Sequence, residues 1–179
     1  MRTTGWTAGV LGALVLAAAG TDAQAQTRNL PVPWYRQVNN YFCGPTSAQM
    51  IIKYISGRYY SQWTINSVVH ANPWSGSSCY QIASGIRHFS GQPYTTVYGF
   101  SRSRVVGNIN RNKPVEINFK TRYIAYTGYR NFMHHSVIRG YTSGGFYIND
   151  TAWGANRWAS TTQVSNAVRY HYNLYIVRY

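Results

Sequence analysis

The stretch QVNNYFCGPTSAQMIIKYI, from Gln37 to Ile55, decides the fold because it runs from a polar loop through a cysteine into an apolar helical pattern. Its apolar residues follow the i, i+3, i+4, i+7 spacing of a helix that packs into a core: Ala48, Ile51, Ile52 and Ile55. Pro45 suits the first turn of such a helix, and Gly57 suits its end. The sequence therefore predicts a helix that begins close to Cys43.

Cys43 is one of only two cysteines, and its place at a helix start has two interpretations. Free backbone N–H groups and the helix dipole stabilise a thiolate there, so Cys43 is a candidate nucleophile. A disulfide with Cys79 is the alternative, and closing a loop of about 36 residues in this way stabilises a domain by ~3–4 kcal/mol. The residues considered so far leave both interpretations open.

Outside this helix, the remaining pattern predicts an α+β fold. Shorter helical patterns occur at residues 64–69, 81–89 and 101–110. From Pro114 onward the chain changes to short β-branched and aromatic runs between Gly, Ser and Asn turns, namely PVEINFK, TRYIAYT, HHSVIRGY, GFYIND and NLYIVRY. We therefore expect an N-terminal helical half, with Cys43 at a helix start, packed on a C-terminal antiparallel sheet half.

The length and the N-terminal composition predict one domain behind a secretion signal. The chain has 179 residues and is 45% hydrophobic, which suits a single domain over residues 26–179. Residues 1–25 join one arginine to a short apolar run and a small-residue cleavage pattern, so we expect a signal peptide that is cleaved after Ala25. This predicts a secreted or periplasmic bacterial protein; an N-terminal membrane anchor is the alternative.

The charge is strongly one-sided, with 17 Lys and Arg against three Asp and Glu and a net charge of +14. Removal of residues 1–25 would leave Glu116 and Asp150 as the only side-chain carboxylates. Such a surface attracts anionic peptides, cell-wall polymers and other polyanions. Arginine and tyrosine are interleaved in several runs, but no motif predicts a specific nucleic-acid partner, and neither a zinc-ligand spacing nor a phosphate-binding Gly-rich loop is present.

A base and an orienting group for a Cys43 nucleophile stand in the predicted sheet. His134 and His135 begin one strand, and Asp150 ends the next. A tight turn between antiparallel strands would bring the start of the first beside the end of the second, as a nucleophile, base and orienter set requires. Gln37, in the loop before Cys43, could donate to the oxyanion of a tetrahedral intermediate together with the Cys43 backbone N–H.

With these residues the chain resembles the papain-like cysteine peptidases, and most of all the bacterial branch related to the peptidases that process double-glycine bacteriocin leaders. The stretch VPWYRQVNNYFCGPTSAQMIIKYI, the strand HHSVIRGY and the strand end YINDTAWG carry the resemblance. It implies a papain-like fold and a catalytic set of Cys43, His134, Asp150 and Gln37.

Three positions depart from the pattern of that branch. Two adjacent histidines stand where the pattern has one; His134 lies six residues before Gly140, as in the pattern, and His135 is the alternative base. Thr151 replaces a proline after Asp150, and Asn149 is the alternative orienter, because other papain-like enzymes use asparagine. Trp153 matches a tryptophan that, in papain, shields the orienting hydrogen bond from water.

The resemblance therefore implies a cysteine peptidase that forms a thioester acyl-enzyme on peptide or protein substrates and needs no cofactor. Together with the predicted signal peptide, we expect a secreted monomer. Two alternatives stay open. The same scaffold could act as a peptidoglycan peptide hydrolase, an amidase or an acyltransferase, since fold does not fix specificity. A basic, non-catalytic binding protein held by a Cys43–Cys79 disulfide is the alternative from another class.

Overall fold

A computed structural model describes residues 27–170 and 173–179; the predicted signal segment, residues 1–25, lies outside them. The described helices are α1 Cys43–Ser56, α2 Gln62–Val69, α3 Cys79–Ser90, α4 Arg102–Asn110 and α5 Thr161–Arg169. The described strands are β1 Arg28–Asn29, β2 Tyr94–Tyr98, β3 Val115–Lys120, β4 Met133–Tyr141, β5 Gly145–Asp150, β6 Gly154–Ser160 and β7 Leu174–Arg178. Within this part of the chain, no helix combines the length and apolar character that a membrane crossing requires.

The predicted α+β architecture is confirmed. The described strands form one antiparallel sheet in the order β2-β7-β3-β4-β5-β6, with the short β1 paired to β4. Helices α1, α2 and α3 pack on one another, and α1 and α3 also contact the sheet. The buried apolar side chains form one cluster between these layers, and its largest fully buried members include Phe42, Met50, Ile51, Ile82, Phe119 and Tyr175.

Helix α1 begins and ends where the sequence predicts. Its first residue is Cys43, and Gly57 ends it in the left-handed conformation with φ 70°. Every residue from Cys43 to Ile52 is buried, because α1 lies between α3 and β4. The cap residue Phe42 gives no side-chain hydrogen bond to the first turn, so the N-terminal amides of α1 keep their positive field for groups beside Cys43.

The β4–β5 hairpin sets the position of the remaining site residues. Its register pairs Ser136 with Asp150, while β3 and β4 pair Asn118 with His135. Because neighbouring residues on a strand point to opposite faces, His134 shares a face with Asp150, whereas His135 shares one with Asn118 and Glu116. The side chains of the two adjacent histidines therefore lie on opposite faces of the sheet.

Some element predictions are wrong. The run TRYIAYT is not a strand but two short 3₁₀ turns at Thr121–Tyr123 and Ala125–Thr127. Threonine hydroxyls explain the difference, because Thr121 and Thr127 hydrogen-bond to nearby backbone groups and so compete with a strand ladder. Strand β2 lies among the N-terminal helices in sequence, and β6 and α5 follow the predicted hairpin, so helices and strands alternate more than expected.

Gly44, in the Cys-Gly-Pro start of α1, is required by close packing. A Cβ at this position would lie 2.0 Å from Ser77 Oγ and 2.8 Å from Ile82 Cδ1. We expect Gly44→Ala to lower the free energy of unfolding by about 1–3 kcal/mol, the usual cost of overpacking. Denaturant unfolding followed by circular dichroism measures this change.

Gly107, inside α4, provides the matched control for this prediction. A Cβ there would meet nothing closer than the Arg111 guanidinium at 3.7 Å. We expect Gly107→Ala to stabilise the domain by up to about 1 kcal/mol, because glycine is a poor helix former. Equal effects of the two alanine substitutions would contradict the close packing at Gly44.

Candidate active site

The Cys43 thiol lies at the N-terminus of α1 with only 8% of the residue exposed. Both Cys43 and Cys79 are free thiols. This finding counts against the alternative of a non-catalytic binding protein held by a Cys43–Cys79 disulfide. The Cys43 thiol is therefore free to react.

Cys43 forms a hydrogen bond with His134. Burial raises the pKa of the Cys43 thiol, but the hydrogen bond and charge of His134, with a smaller contribution from the charge and backbone amide of His135, outweigh it and lower the pKa to about 7. A thiol with this pKa is substantially ionised at neutral pH, which is the nucleophilic form. The N-terminus of α1 and the His134 imidazole therefore both stabilise the Cys43 thiolate.

His134 stands between Cys43 and Asp150. Burial lowers the pKa of His134, but the charge and hydrogen bond of Asp150 and the contact with Cys43 raise it to about 10. The His134 Nε2 atom lies 3.1 Å from Asp150 Oδ1, so Nδ1 is the ring nitrogen left for the Cys43 side. Because the pKa of His134 is raised above that of Cys43, a proton shared by the two side chains favours His134.

Asp150 accepts hydrogen bonds from five donors, so its position and its charge are both fixed. Oδ1 accepts from His134 and from the backbone amides of Ala152 and Trp153 at 2.9 and 3.0 Å. Oδ2 accepts from the hydroxyls of Ser136 and Tyr126, each at 3.0 Å. Burial raises the pKa of Asp150, but His134 and the two amides lower it below its usual range, so the buried carboxylate stays ionised.

Aromatic rings shield the contact between His134 and Asp150. Trp153 meets the His134 ring edge-on with centroids 5.2 Å apart, and Phe132 stacks on Trp153 at 5.7 Å. Phe119 contacts His134 from the neighbouring strand at 5.5 Å. Because these rings pack around His134, water has little access to its hydrogen bond with Asp150.

Thr151 connects Gln37 to His134. Its hydroxyl donates to Gln37 Oε1 at 2.8 Å and lies 3.1 Å from His134 Nε2. Gln37 Nε2 donates to the Asn39 carbonyl at 2.7 Å, and the Gln37 backbone amide donates to the Thr151 carbonyl. These contacts orient the Gln37 amide with its nitrogen on the opposite side from Thr151, and Gln37 lines the same cleft as Cys43.

The two alternative residues lie elsewhere. Asn149 donates to the Val32 carbonyl at 2.9 Å and accepts from the Asn156 amide at 3.0 Å, which ties the N-terminal lead to β5. His135 turns to the other strand face, where Nδ1 donates to Glu116 Oε1 at 2.6 Å. The structure therefore brings together Cys43, His134, Asp150 and Gln37, and it leaves His135 and Asn149 out of this group.

A cleft of about 910 Å³ opens over Cys43 and His134. Gln37 lies on its wall, and two exposed arginines, Arg36 and Arg130, line it as well. Among the described residues that line the cleft, none is acidic. The charged side chains of this lining therefore give the cleft a positive field.

Sequence reasoning missed three residues that support the Asp150 and Gln37 positions: Ser136, Tyr126 and Thr151. Ser136 could have been found, because it stands two residues after His134 and faces Asp150 across the hairpin. In the sequence, Thr151 stands out only as a departure from a proline, which does not predict its contact with Gln37. Tyr126 gives no signal of its contact with Asp150, since it lies in the run TRYIAYT, whose pattern predicts a strand.

Comparisons with known proteins identify the family and the fold of this chain. A family model described as the Peptidase_C39-like family matches residues 29–175. Among solved structures, a C39-like peptidase from Bacillus anthracis matches with a TM-score of 0.70 and 13% identity, covering 86% of this chain and 98% of that one. A search of curated proteins found no match.

Two further structures share the fold. The peptidase domain of Streptococcus ComA, a bifunctional ABC transporter of a quorum-sensing pathway, has a TM-score of 0.62 and 13% identity over 82% of this chain and 97% of that domain. A double-glycine-motif protease from an AMS/PCAT transporter, solved with its leader peptide, has a TM-score of 0.61 and 16% identity over 84% and 93%.

Proposed function

The chain belongs to the Peptidase_C39-like family and is a cysteine peptidase, and from this premise we propose that Cys43, His134 and Asp150 form its catalytic triad. The observation that carries the proposal is the continuous contact from the Cys43 thiol at the start of α1 through His134 to the buried Asp150 carboxylate. Each member of the set lies on a separate element, and each is fixed by its own hydrogen bonds.

In the proposed reaction the Cys43 thiolate attacks the scissile carbonyl carbon. The carbonyl π electrons move to oxygen, and the oxyanion is held by Gln37 Nε2 and the Cys43 backbone N–H. His134 then gives its proton to the leaving amine, the C–N bond breaks, and a thioester remains on Cys43. His134 next takes a proton from water while the water oxygen attacks the thioester carbon, and the C–S bond then breaks. This step releases the carboxylic acid product and regenerates the Cys43 thiolate beside protonated His134.

Asp150 and Thr151 serve as positioning residues in this scheme. Asp150 holds His134 with Nε2–H directed at the carboxylate, which leaves Nδ1 toward Cys43. Thr151 donates to Gln37 Oε1, and one N–H of Gln37 Nε2 donates to the Asn39 carbonyl, so the second N–H of that nitrogen is the group left for the oxyanion. Both effects depend on fixed hydrogen bonds that exist before substrate binds.

We propose a peptide or protein substrate with acidic side chains near the cleavage site. The protease neighbour that was solved with a leader peptide supports binding of a peptide by this fold. Arg36 and Arg130 line the cleft, while Glu116 and Asp150 are buried and paired with histidines, so neither carboxylate neutralises these arginines. An acidic peptide would supply the missing partners.

We expect the double substitution Arg36→Gln and Arg130→Gln to lower kcat/KM for an acidic peptide by about tenfold. Two exposed ion pairs contribute up to about 1 kcal/mol each, and the loss is expected in KM rather than in kcat. A neutral peptide of the same length should change little, and added salt should reduce the difference. Michaelis–Menten kinetics on the peptide pair measures this.

Arg58→Gln is the matched control, since Arg58 is an exposed arginine that does not line the cleft. It removes one positive charge and should leave the preference for the acidic peptide unchanged. A similar loss from Arg58→Gln would mean that net charge, rather than the cleft, selects the substrate. No preference for the acidic peptide in the unmodified enzyme would contradict the substrate proposal.

We also propose that residues 1–25 are removed and that the mature enzyme acts outside the cytoplasm. The short apolar run and the small-residue cleavage pattern before Gln26 support this placement. Intact-mass analysis of protein recovered from the periplasm or medium should give the mass of residues 26–179. Recovery of the full 179-residue chain in the membrane fraction would contradict it.

The experiment that tests the proposed function is cleavage of casein and of purified peptidoglycan, with products identified by mass spectrometry. New casein N-termini that are absent with Cys43→Ala support the peptidase with Cys43 as nucleophile. Release of stem peptides from peptidoglycan without casein cleavage would instead favour the wall-hydrolase alternative. Casein cleavage that Cys43→Ala leaves unchanged would overturn the assignment of the nucleophile.

A further inference from the structure

A second cluster of reactive side chains lies on the sheet face opposite to that of His134 and Asp150. It consists of Cys79 at the start of α3, Glu116 on β3 and His135 on β4, and all three are buried. None of them belongs to the proposed catalytic triad. We propose that Cys79, Glu116 and His135 form a binding site for a divalent cation, Zn²⁺, beside the active site.

The distances suit a metal ion. One ligand atom of each residue lies within 4.8 Å of the other two. His135 Nδ1 and Glu116 Oε1 are 2.6 Å apart, whereas two ligand atoms of one tetrahedral zinc ion, with bonds of about 2.0–2.3 Å, lie about 3.3–3.6 Å apart. To bind one ion, these two atoms would separate by about 1 Å and the Cys79 sulfur would approach them, through movements of the side chains.

The ligand types also suit zinc. Cysteine sulfur, histidine nitrogen and carboxylate oxygen are the groups that Zn²⁺ prefers. A thiolate, a carboxylate and a neutral imidazole carry two negative charges, which equal the charge of the ion. A neutral centre matters here because an uncompensated charge in a buried site is costly.

His135 is already oriented as a metal ligand. Its Nε2 donates to the Ser77 carbonyl at 3.0 Å, which places a proton on that nitrogen. Nδ1 donates to Glu116 Oε1 and is the nitrogen directed into the cluster, so binding of the ion displaces that proton together with the proton of the Cys79 thiol. A second hydrogen bond to a backbone carbonyl is what usually fixes the ring of a zinc-bound histidine.

An unsatisfied oxygen atom favours a cation over a simple ion pair. The pair between His135 and Glu116 engages only Oε1, and Glu116 Oε2 is buried with no hydrogen-bond partner. A buried oxygen of this kind normally has a partner, so it requires an explanation, and a bound ion supplies one. The Asn118 amide lies 2.7 Å from His135 Nε2, where its oxygen can accept the proton of that nitrogen, so Asn118 is not part of the ligand set.

The location gives the ion a structural role. It would join the start of α3 to β3 and β4, and so fix the chain segment that contains Ser77 against the start of α1, where Gly44 permits close approach. His135 precedes Ser136, which holds Asp150, and follows His134. The ion thus stabilises the frame of the active site without contacting the substrate.

Cobalt and zinc binding test the proposal in a protein that lacks the catalytic pair. The variant Cys43→Ala with His134→Ala removes the other site at which a thiol and an imidazole could bind metal. Protein prepared free of metal and titrated with Co²⁺ should bind one ion per chain and show a thiolate-to-cobalt charge-transfer band. Zn²⁺ at about 100 times its Kd should raise the Tm by roughly 5–10 °C.

Cys79→Ala in the same background should abolish the charge-transfer band and the Tm shift. Glu116→Gln, which keeps the side-chain shape, should weaken Co²⁺ binding at least tenfold while circular dichroism shows an intact fold. No stoichiometric binding of Co²⁺ or Zn²⁺, or binding that persists in Cys79→Ala, would overturn the proposal. Because the background is catalytically inactive by design, this outcome is independent of whether the proposed triad is correct.

Discussion

His134→Ala is expected to lower kcat/KM for peptide hydrolysis by about 10⁴-fold or more. When a base and its nucleophile act as a unit, removal of the base lowers the rate nearly as much as removal of the whole catalytic set. His134 also holds the pKa of Cys43 at about 7 through its hydrogen bond and its charge. Without His134, burial keeps the thiol protonated, and no group remains to protonate the leaving amine. Steady-state kinetics on a fluorogenic peptide measures the loss.

Two other histidines provide controls. His88→Ala changes an exposed histidine on α3 and should leave kcat/KM unchanged. His135→Gln removes the alternative base; it should lower stability through loss of the contact with Glu116, but it should keep kcat within about tenfold, because His135 points to the other strand face. If His135→Gln abolishes activity in folded protein and His134→Ala does not, the base has been assigned to the wrong residue.

Asp150→Asn is expected to lower kcat by about 10³–10⁴-fold while the domain stays folded. The amide oxygen can still accept from Ala152 and Trp153, and the hydroxyls of Ser136 and Tyr126 can rotate to accept from the amide nitrogen. The negative charge alone is lost. Since that charge raises the pKa of His134, the substitution lowers it, and the thiolate of Cys43 loses its cationic partner. Pre-steady-state acylation rates measure the effect.

Asn149→Ala is the neighbouring control. Asn149 bonds Val32 and Asn156, so its loss should lower the free energy of unfolding by about 1–3 kcal/mol and leave kcat nearly unchanged. Asp150→Asn should show the reverse pattern, with kinetics changed far more than stability. A kinetic loss confined to Asn149→Ala would mean that asparagine, as in other papain-like enzymes, orients the base.

The sequence predicts those parts of the fold in which local and tertiary preferences agree. Helix α1 has an apolar stripe, a proline in its first turn and Gly57 after its last, and all three signals point to the same boundaries. The β4–β5 hairpin is predicted because its runs are apolar and its turn is rich in Ser and Gly. Because side chains alternate along a strand, the sequence also predicts that His134 and His135 lie on opposite faces of the sheet.

Other elements lack such agreement. Strand β6 is a mostly exposed edge strand with polar residues, so it has no alternation to detect. Strand β2 is short and gains its place by pairing with β7 at the far end of the chain. The cluster of Cys79, Glu116 and His135 is likewise invisible to motif spacing, because three separate elements supply its members. Only the strand register shows that Glu116 and His135 share a face.

Chemical labelling of Cys43 is the decisive test of its role as an activated nucleophile. The mature protein is kept without reductant and treated at pH 7 with iodoacetamide or an epoxide inhibitor of papain-like enzymes, and the modified residue is located by peptide mass spectrometry. We expect one rapid modification at Cys43, strongly slowed in His134→Ala, with Cys79 unlabelled because its thiol is buried and burial raises its pKa. Slow labelling of Cys43 that His134→Ala leaves unchanged, or a Cys43–Cys79 disulfide that must be reduced first, would contradict it.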